Sequence, residues 1–229
     1  MSASLHAQSL NSKPAPAPDA ADGTEEFQDH EFRQQADKWH IRIKYPSIAG
    51  ADDFNAIVRH DVDSMADGFR INVPQQAFTG FPDYEAYLEG SFTARTLKNG
   101  IVSVLFDYSE YTPGAVHPWG ILASINYDTR THRRLELSDL FRPGSSYLSR
   151  LSTLSIQWLE QDEYAEKEAI RQGAAPLEKN FTVFTLTDTD LSVHFQQYQV
   201  APGAVPSEEV VIPLADLASL LRKQYLPAH

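Results

Sequence analysis

Cysteine is absent from all 229 residues, which removes disulfide staples, thiolate zinc sites, cysteine nucleophiles and any lipid-modified N-terminal cysteine. No run of about 18 apolar residues occurs, so no stretch reads as a membrane-spanning helix. Basic side chains are scarce: 19 Lys and Arg stand against 31 Asp and Glu, a formal charge of −12. The excess is not confined to a tail, because residues 39–229 alone hold 16 basic and 24 acidic side chains. Such a surface repels nucleic-acid phosphates and anionic membranes and favours basic partners, besides keeping the chain soluble.

Reaction motifs are missing too. There is no G-x-S-x-G elbow, no Walker A loop, no G-x-G-x-x-G fingerprint, and neither H-x-H nor H-E-x-x-H spacing among the eight histidines. No metal or cofactor is therefore expected, and the individual residues define no catalytic set. The acidic runs "DHE", "HDVD" and "TDTD" read as solvated charge, the second on the outer face of a helix and the third in a hairpin turn. With 42% hydrophobic residues the chain still has the material for a core.

Residues 1–36 are rich in Ala, Pro, Ser, Asp and Glu and are expected to form a flexible leader. The start lacks the charged and apolar regions of an intact signal peptide, although "SLHAQS" has the small residues of a cleavage site. Either the remnant of an export signal or a natural N-terminus fits. Over 37–80 a small strand–helix unit is expected. Trp39, Ile41, Ile43 and Tyr45 alternate until Pro46, and a helix follows whose Phe54, Ile57, Val58, Val62, Met65 and Phe69 recur every three or four residues behind Asp52 or Asp53 as cap.

The larger domain, 81–229, begins with a strand from Tyr84 to Leu97 that "LKNG" turns into a second. Val102, Val104, Phe106 and Tyr108 alternate with Ser103, Asp107 and Ser109, a half-buried strand. After a Pro/Gly loop, Ile121, Ala123, Ile125 and Tyr127 resume the alternation. Ser145 or Ser146 should cap a helix that buries Leu148, Leu151, Leu154, Trp158 and Leu159. The charged segment 160–176 either extends that helix or forms a solvated second one. A hairpin follows, with Phe181, Val183 and Thr185 in one strand and Leu191, Val193 and Phe195 in the other. A strand over Val210–Ile212 then leads to a helix that opens at Pro213 and buries Leu214, Leu217, Leu220 and Leu221. Strands and helices mix without βαβ regularity, so the fold class is α+β, a mainly antiparallel sheet with helices on one face.

The order of the strand, the loop "YTPGAVHPWG", the strand ending "NYDTRT", then "LELSDLF" and "RPGSSYLSRLS" resembles an extracytoplasmic domain of unknown function. That domain is shared by lysozyme-sensing anti-sigma factors of the RsiV type and by peptidoglycan deacetylases of the PdaC type. "IKYPSIAGADDFNAIV" is similar to the smaller domain preceding it, and "VVIPLADL" to its end. In place of the family's usual Tyr-Gly-Gly-Ala-His, this loop has Pro113 for one glycine and Val116 between Ala115 and His117.

The resemblance implies a periplasmic or secreted binding module without chemistry of its own. Its implied ligands are a basic lysozyme-like muramidase first and a peptidoglycan or other glycan second; the last reading is that the chain is itself an unrecognised cell-wall hydrolase using His117 or Asp107. The contact residues expected are Tyr108, Tyr111, His117, Pro118 and Trp119, with Trp119 as anchor. The bland alternative is that His117 pins the loop through a backbone carbonyl while Trp119 closes one end of the core.

Overall fold

A computed structural model describes residues 26–73, 80–81, 83–162, 165–202 and 207–226. Most of the expected leader, residues 1–25, lies outside them. Its end does not behave as a leader, because β1 (Phe27–Gln35) pairs antiparallel with β2 (Trp39–Ile48), from Phe27 opposite Ile48 to Gln35 opposite His40. Phe27 and Phe32 are five residues apart, out of step with alternation, so β1 takes its strand state from pairing. β2 runs through Pro46 and does not stop there. Its pairing with β3 ends at Ile43, and beyond that point it is bonded on one side alone, where a missing N–H is tolerated.

α1 (Asp52–Asn72) packs Phe54, Val58, Val62, Ala66 and Phe69 onto the sheet. Neither aspartate caps it by a side-chain bond; Ala51 is the cap residue, and Asp52 and Asp53 face the positive end of the helix dipole. β3 (Ala86–Thr96), β4 (Ile101–Tyr111) and β5 (Trp119–Asp128) form the expected antiparallel meander, and β6 (Arg133–Arg134) adds a short edge. Gly100, at φ +77°, makes the turn between β3 and β4 in a conformation that other residues resist. β2 joins this meander by parallel pairing with β3, so β2 and α1 form one side of a single six-stranded sheet.

β4 is covered on both faces, not one. Val102, Val104, Phe106 and Tyr108 are buried beneath α1, while Ile101 and Ser103 are buried on the reverse face. The cover there is a second sheet, β7 (Phe184–Leu186), β8 (Asp190–Phe195) and β9 (Glu208–Pro213), all antiparallel. The expected hairpin holds, but its first strand is three residues long and Phe181 and Val183 are buried ahead of it.

Around this sheet lie α2 (Tyr147–Leu159), α3 (Lys167–Gly173) and the single-turn α4 (Leu214–Leu217). Trp158 is 45% exposed, contrary to expectation, because the buried line of α2 runs through Leu151, Ser152, Ser155 and Leu159. α3 is a separate helix but not a solvated one, since Ile170 and Gly173 are buried. A side chain at Gly173 would stand 1.9 Å from the Gln199 carbonyl oxygen, so glycine alone lets the two backbones meet. The last helix is shorter than expected; Leu217 and Leu221 are buried, and Leu221 forms a bridge to Phe141.

The sheets cap each other's edges. Ser124 Oγ accepts from the Phe184 amide at 3.1 Å, Ser103 Oγ accepts from the Leu186 amide at 3.0 Å, and Asn126 Nδ2 donates to the Phe184 carbonyl at 2.8 Å. In return Gln197 Oε1 accepts from the Gly120 amide, and the Gln196 amide group both accepts from Leu122 N–H and donates to its carbonyl. The edge amides of Gly120, Leu122, Phe184 and Leu186 are thereby paired without another strand.

Candidate functional site

The loop between β4 and β5, residues 112–118, leaves the sheet at the end where Gln196 and Gln197 bond the β5 edge. Gly114 takes φ +95° and lies against the Phe81 ring, and the Ala115 amide donates to the Thr112 carbonyl at 3.0 Å. Val116 at its tip is 99% exposed.

His117 uses both ring nitrogens. Nδ1 is 2.8 Å from the Pro118 carbonyl, which only accepts, so Nδ1 carries a proton; Nε2 lies 3.0 Å from the Tyr198 hydroxyl. Trp119 stacks on Tyr198 with ring centres 5.1 Å apart and planes 13° from parallel, and the His117 ring lies near-parallel to Tyr198 at 6.4 Å. Trp119 nevertheless remains 47% exposed. The bland expectation is met for His117, which does bond a backbone carbonyl, but not for Trp119, which does not seal the core.

Tyr198 itself is held out of the ordinary backbone region, at φ +67°. The turn carrying it is fixed from three sides: Gln199 N–H donates to the Gln196 carbonyl at 3.0 Å, Gln199 Oε1 accepts from the Gln196 amide at 2.9 Å, and Gln199 Nε2 donates to the Gly173 and Asn180 carbonyls. A non-glycine residue in the left-handed region costs about 1 kcal/mol or more and persists where its surroundings over-determine it.

Of the five expected contact residues, the structure brings together His117, Pro118 and Trp119. Tyr108 is a correction: it is 1% exposed, and its ring lies over Gly90 between the sheet and α1. Burial first, and the Asp61 charge second, push its phenol well above the usual tyrosine range. Tyr111, three residues on, projects from the opposite face and stacks on Tyr87 at 5.6 Å, which in turn stacks on His40 at 5.8 Å. It belongs to a separate ladder across β2, β3 and β4. Tyr198, Gln196 and Gln197 were missed; the run of side-chain amides around a tyrosine directly after a strand was the available signal.

Asp107, the other residue of the hydrolase reading, is exposed on the reverse face, and desolvation raises its carboxyl above the usual range. Both His117 nitrogens are engaged elsewhere. "HDVD" is not only solvated charge, since Asp61 Oδ2 accepts from Arg134 at 2.8 Å and Arg134 also donates to the Ser124 carbonyl. "TDTD" is a hairpin turn, where Asp190 accepts from the Thr187 and Thr189 hydroxyls. Among the described residues no group of three or more His, Asp and Glu side chains is placed to hold a metal ion, and no helix is long and apolar enough to cross a membrane.

These features define a mixed α+β protein with a curled, mainly antiparallel sheet and an aromatic cluster beside its β4–β5 loop. Residues 138–215 match the family described as "Protein of unknown function (DUF3298)". It is 28% identical over 127 residues to the peptidoglycan-N-acetylmuramic acid deacetylase PdaC of Bacillus subtilis (strain 168). That match takes in 55% of this chain but 27% of the relative, so the chain spans about a quarter of its length.

Two crystal structures share the fold. A DUF3298 family protein from Pseudomonas aeruginosa PAO1 superposes with a TM-score of 0.64 at 17% identity, over 89% of this chain and 98% of that one. A member of the same family from Bacteroides fragilis NCTC 9343 gives 0.61 at 17%, over 88% and 95%.

Proposed function

We propose that the chain is an extracytoplasmic, non-catalytic binding module for a cell-envelope ligand, and that its partner is a basic, lysozyme-like muramidase. The observation that carries this is the exposed Trp119–Tyr198–His117 stack. A large aromatic held rigid at the surface loses little freedom on binding, which is the character of an interface anchor. Val116, next to His117, and Tyr84, which stands edge-on to the Phe81 ring that lies against Gly114, are both more than half exposed and extend the apolar surface. The acidic body adds attraction for a basic partner and speeds encounter. The name of the deacetylase relative supports an envelope setting.

Calorimetric titration of the full chain with a c-type lysozyme at about 50 and 300 mM salt tests the reading, because attraction between exposed charges is screened over that range. One-to-one binding that weakens with salt is expected, and Trp119→Ala should cost about 2 kcal/mol or more of it. Unchanged affinity in a Trp119→Ala variant that melts like the wild type would sink the site. A second reading, stacking of the same aromatics on peptidoglycan sugars, is favoured by binding of muropeptides that does not respond to salt, with no heat from lysozyme.

A further inference from the structure

Away from the aromatic cluster, a groove of ≈ 380 Å³ opens between the second half of α1 and the ends of β4 and β5. Its floor is apolar: Met65, Phe106 and Ile121 line it, and the Phe106 and Tyr108 rings lie 5.8 Å apart, 14° from parallel. Among the described residues, two of its lining groups have no partner on the protein. The Tyr108 hydroxyl has no hydrogen bond among the described residues, although the residue is 1% exposed and lines the groove. Glu110, half-buried in the same lining, has neither ion pair nor hydrogen bond among them, and burial alone raises its carboxyl above the usual range.

We propose that this groove is a binding site for a small organic ammonium ion with an apolar body. Tyr108 and Glu110 are two apart on one strand and so share a face about 7 Å apart, a separation that one ammonium group can bridge. The phenol oxygen accepts one N–H and the carboxylate supplies the counter-charge, which answers the two unpartnered groups together. The third charged group, Asp61, is already paired with Arg134, so the uncompensated charge in the groove is that of Glu110. Anionic ligands are repelled, and a neutral one would leave the half-buried carboxylate unpaired. The volume falls within the range of about 300–1,000 Å³ typical of small-molecule sites, and an apolar body fits the floor.

The chain has two methionines, Met1 and Met65, so methyl-labelled methionine puts one probe in the groove. Titrating the full chain with phenethylammonium should move the Met65 methyl resonance saturably, with a Kd of about 1 mM or tighter, as suits a ligand of this size. The neutral analogue 2-phenylethanol should bind at least about tenfold more weakly, and Glu110→Gln should cost the amine a similar factor. Tyr108→Phe, which keeps the ring and so the fold, should weaken the amine by about three- to tenfold. A Met65 resonance that does not move, equal affinity for amine and alcohol, or an undiminished response in Glu110→Gln would each overturn the assignment.

Discussion

On one face of β4 and β5, Val102, Val104, Phe106 and Ile125 meet α1 through apolar contact, whereas on the other Ser103, Ser124 and Asn126 meet β7 through three side-chain hydrogen bonds. The two faces of one sheet are thus joined to their covers by different physics. Apolar packing is non-directional, and a helix shifted slightly on its bed still buries most of its area. The polar seam is directional: each bond names one residue of β7, so a slip of one residue would leave three buried polar groups unpaired. Packing of α1 therefore carries much of the stability, and the seam fixes how the second sheet sits against the first.

The largest effect should come from the apolar face. Phe54 is fully buried against Tyr127, with ring centres 5.5 Å apart, and Phe54→Ala should remove roughly 3–5 kcal/mol. At this chain length that lowers Tm by about 10 °C, measurable by calorimetry. A shift of only a degree or two would mean that α1 is a passenger on the sheet.

The seam should come next. Asn126→Ala deletes the bond to the Phe184 carbonyl and the 2.7 Å bond from Ser103, leaving both groups buried, at a cost of about 2–4 kcal/mol. The comparison sharpens in the shape of the melt: both variants should shift one common transition, because the seam makes the two halves a single cooperative unit. Separate melting of the halves in the wild type would break that account.

How far the sequence foretold this follows from the same contrast. α1 was legible because Phe54, Val58, Val62 and Phe69 repeat at helical spacing, and β3 to β5 because their apolar residues alternate. The seam was not, since Ser103, Ser124 and Asn126 read as wet-face residues until a second sheet covers them. In α2 the buried line passes through Ser152 and Ser155, small polar residues that hide it, and Trp158 lies one position off that line. The candidate site was half legible. Strand parity already placed Tyr108 with Val102, Val104 and Phe106 in the core, and opposite in facing to Tyr111. Tyr198, 81 residues from its partner His117, became part of the site only through tertiary folding.

The smallest effect separates the halves by pH. Among the described residues the buried histidine is His194 on β8, in the second sheet, with Nε2 2.9 Å from the Thr185 hydroxyl and Glu209 opposite on β9. Burial lowers its pKa below the ordinary 6.5, and the Glu209 charge opposes that shift without cancelling it. The unfolded chain therefore takes up a proton near 6.5 while the folded chain takes it up only at lower pH. Its contribution to stability is complete above 6.5 and is lost as pH falls through the folded value. His194→Gln preserves a hydrogen-bonding partner for Thr185 but has no proton to gain, so the stability of the variant should decline less between about pH 7 and 5 than that of the wild type. Asp107, Glu110 and Glu208, whose carboxyls burial raises, act in the opposite sense but are common to both proteins and cancel in the difference. Denaturant melts at a series of pH values measure it. Parallel curves for the two proteins would show that His194 titrates like a solvated imidazole, and that the second sheet near β9 is open to water in a way the apolar face under α1 is not.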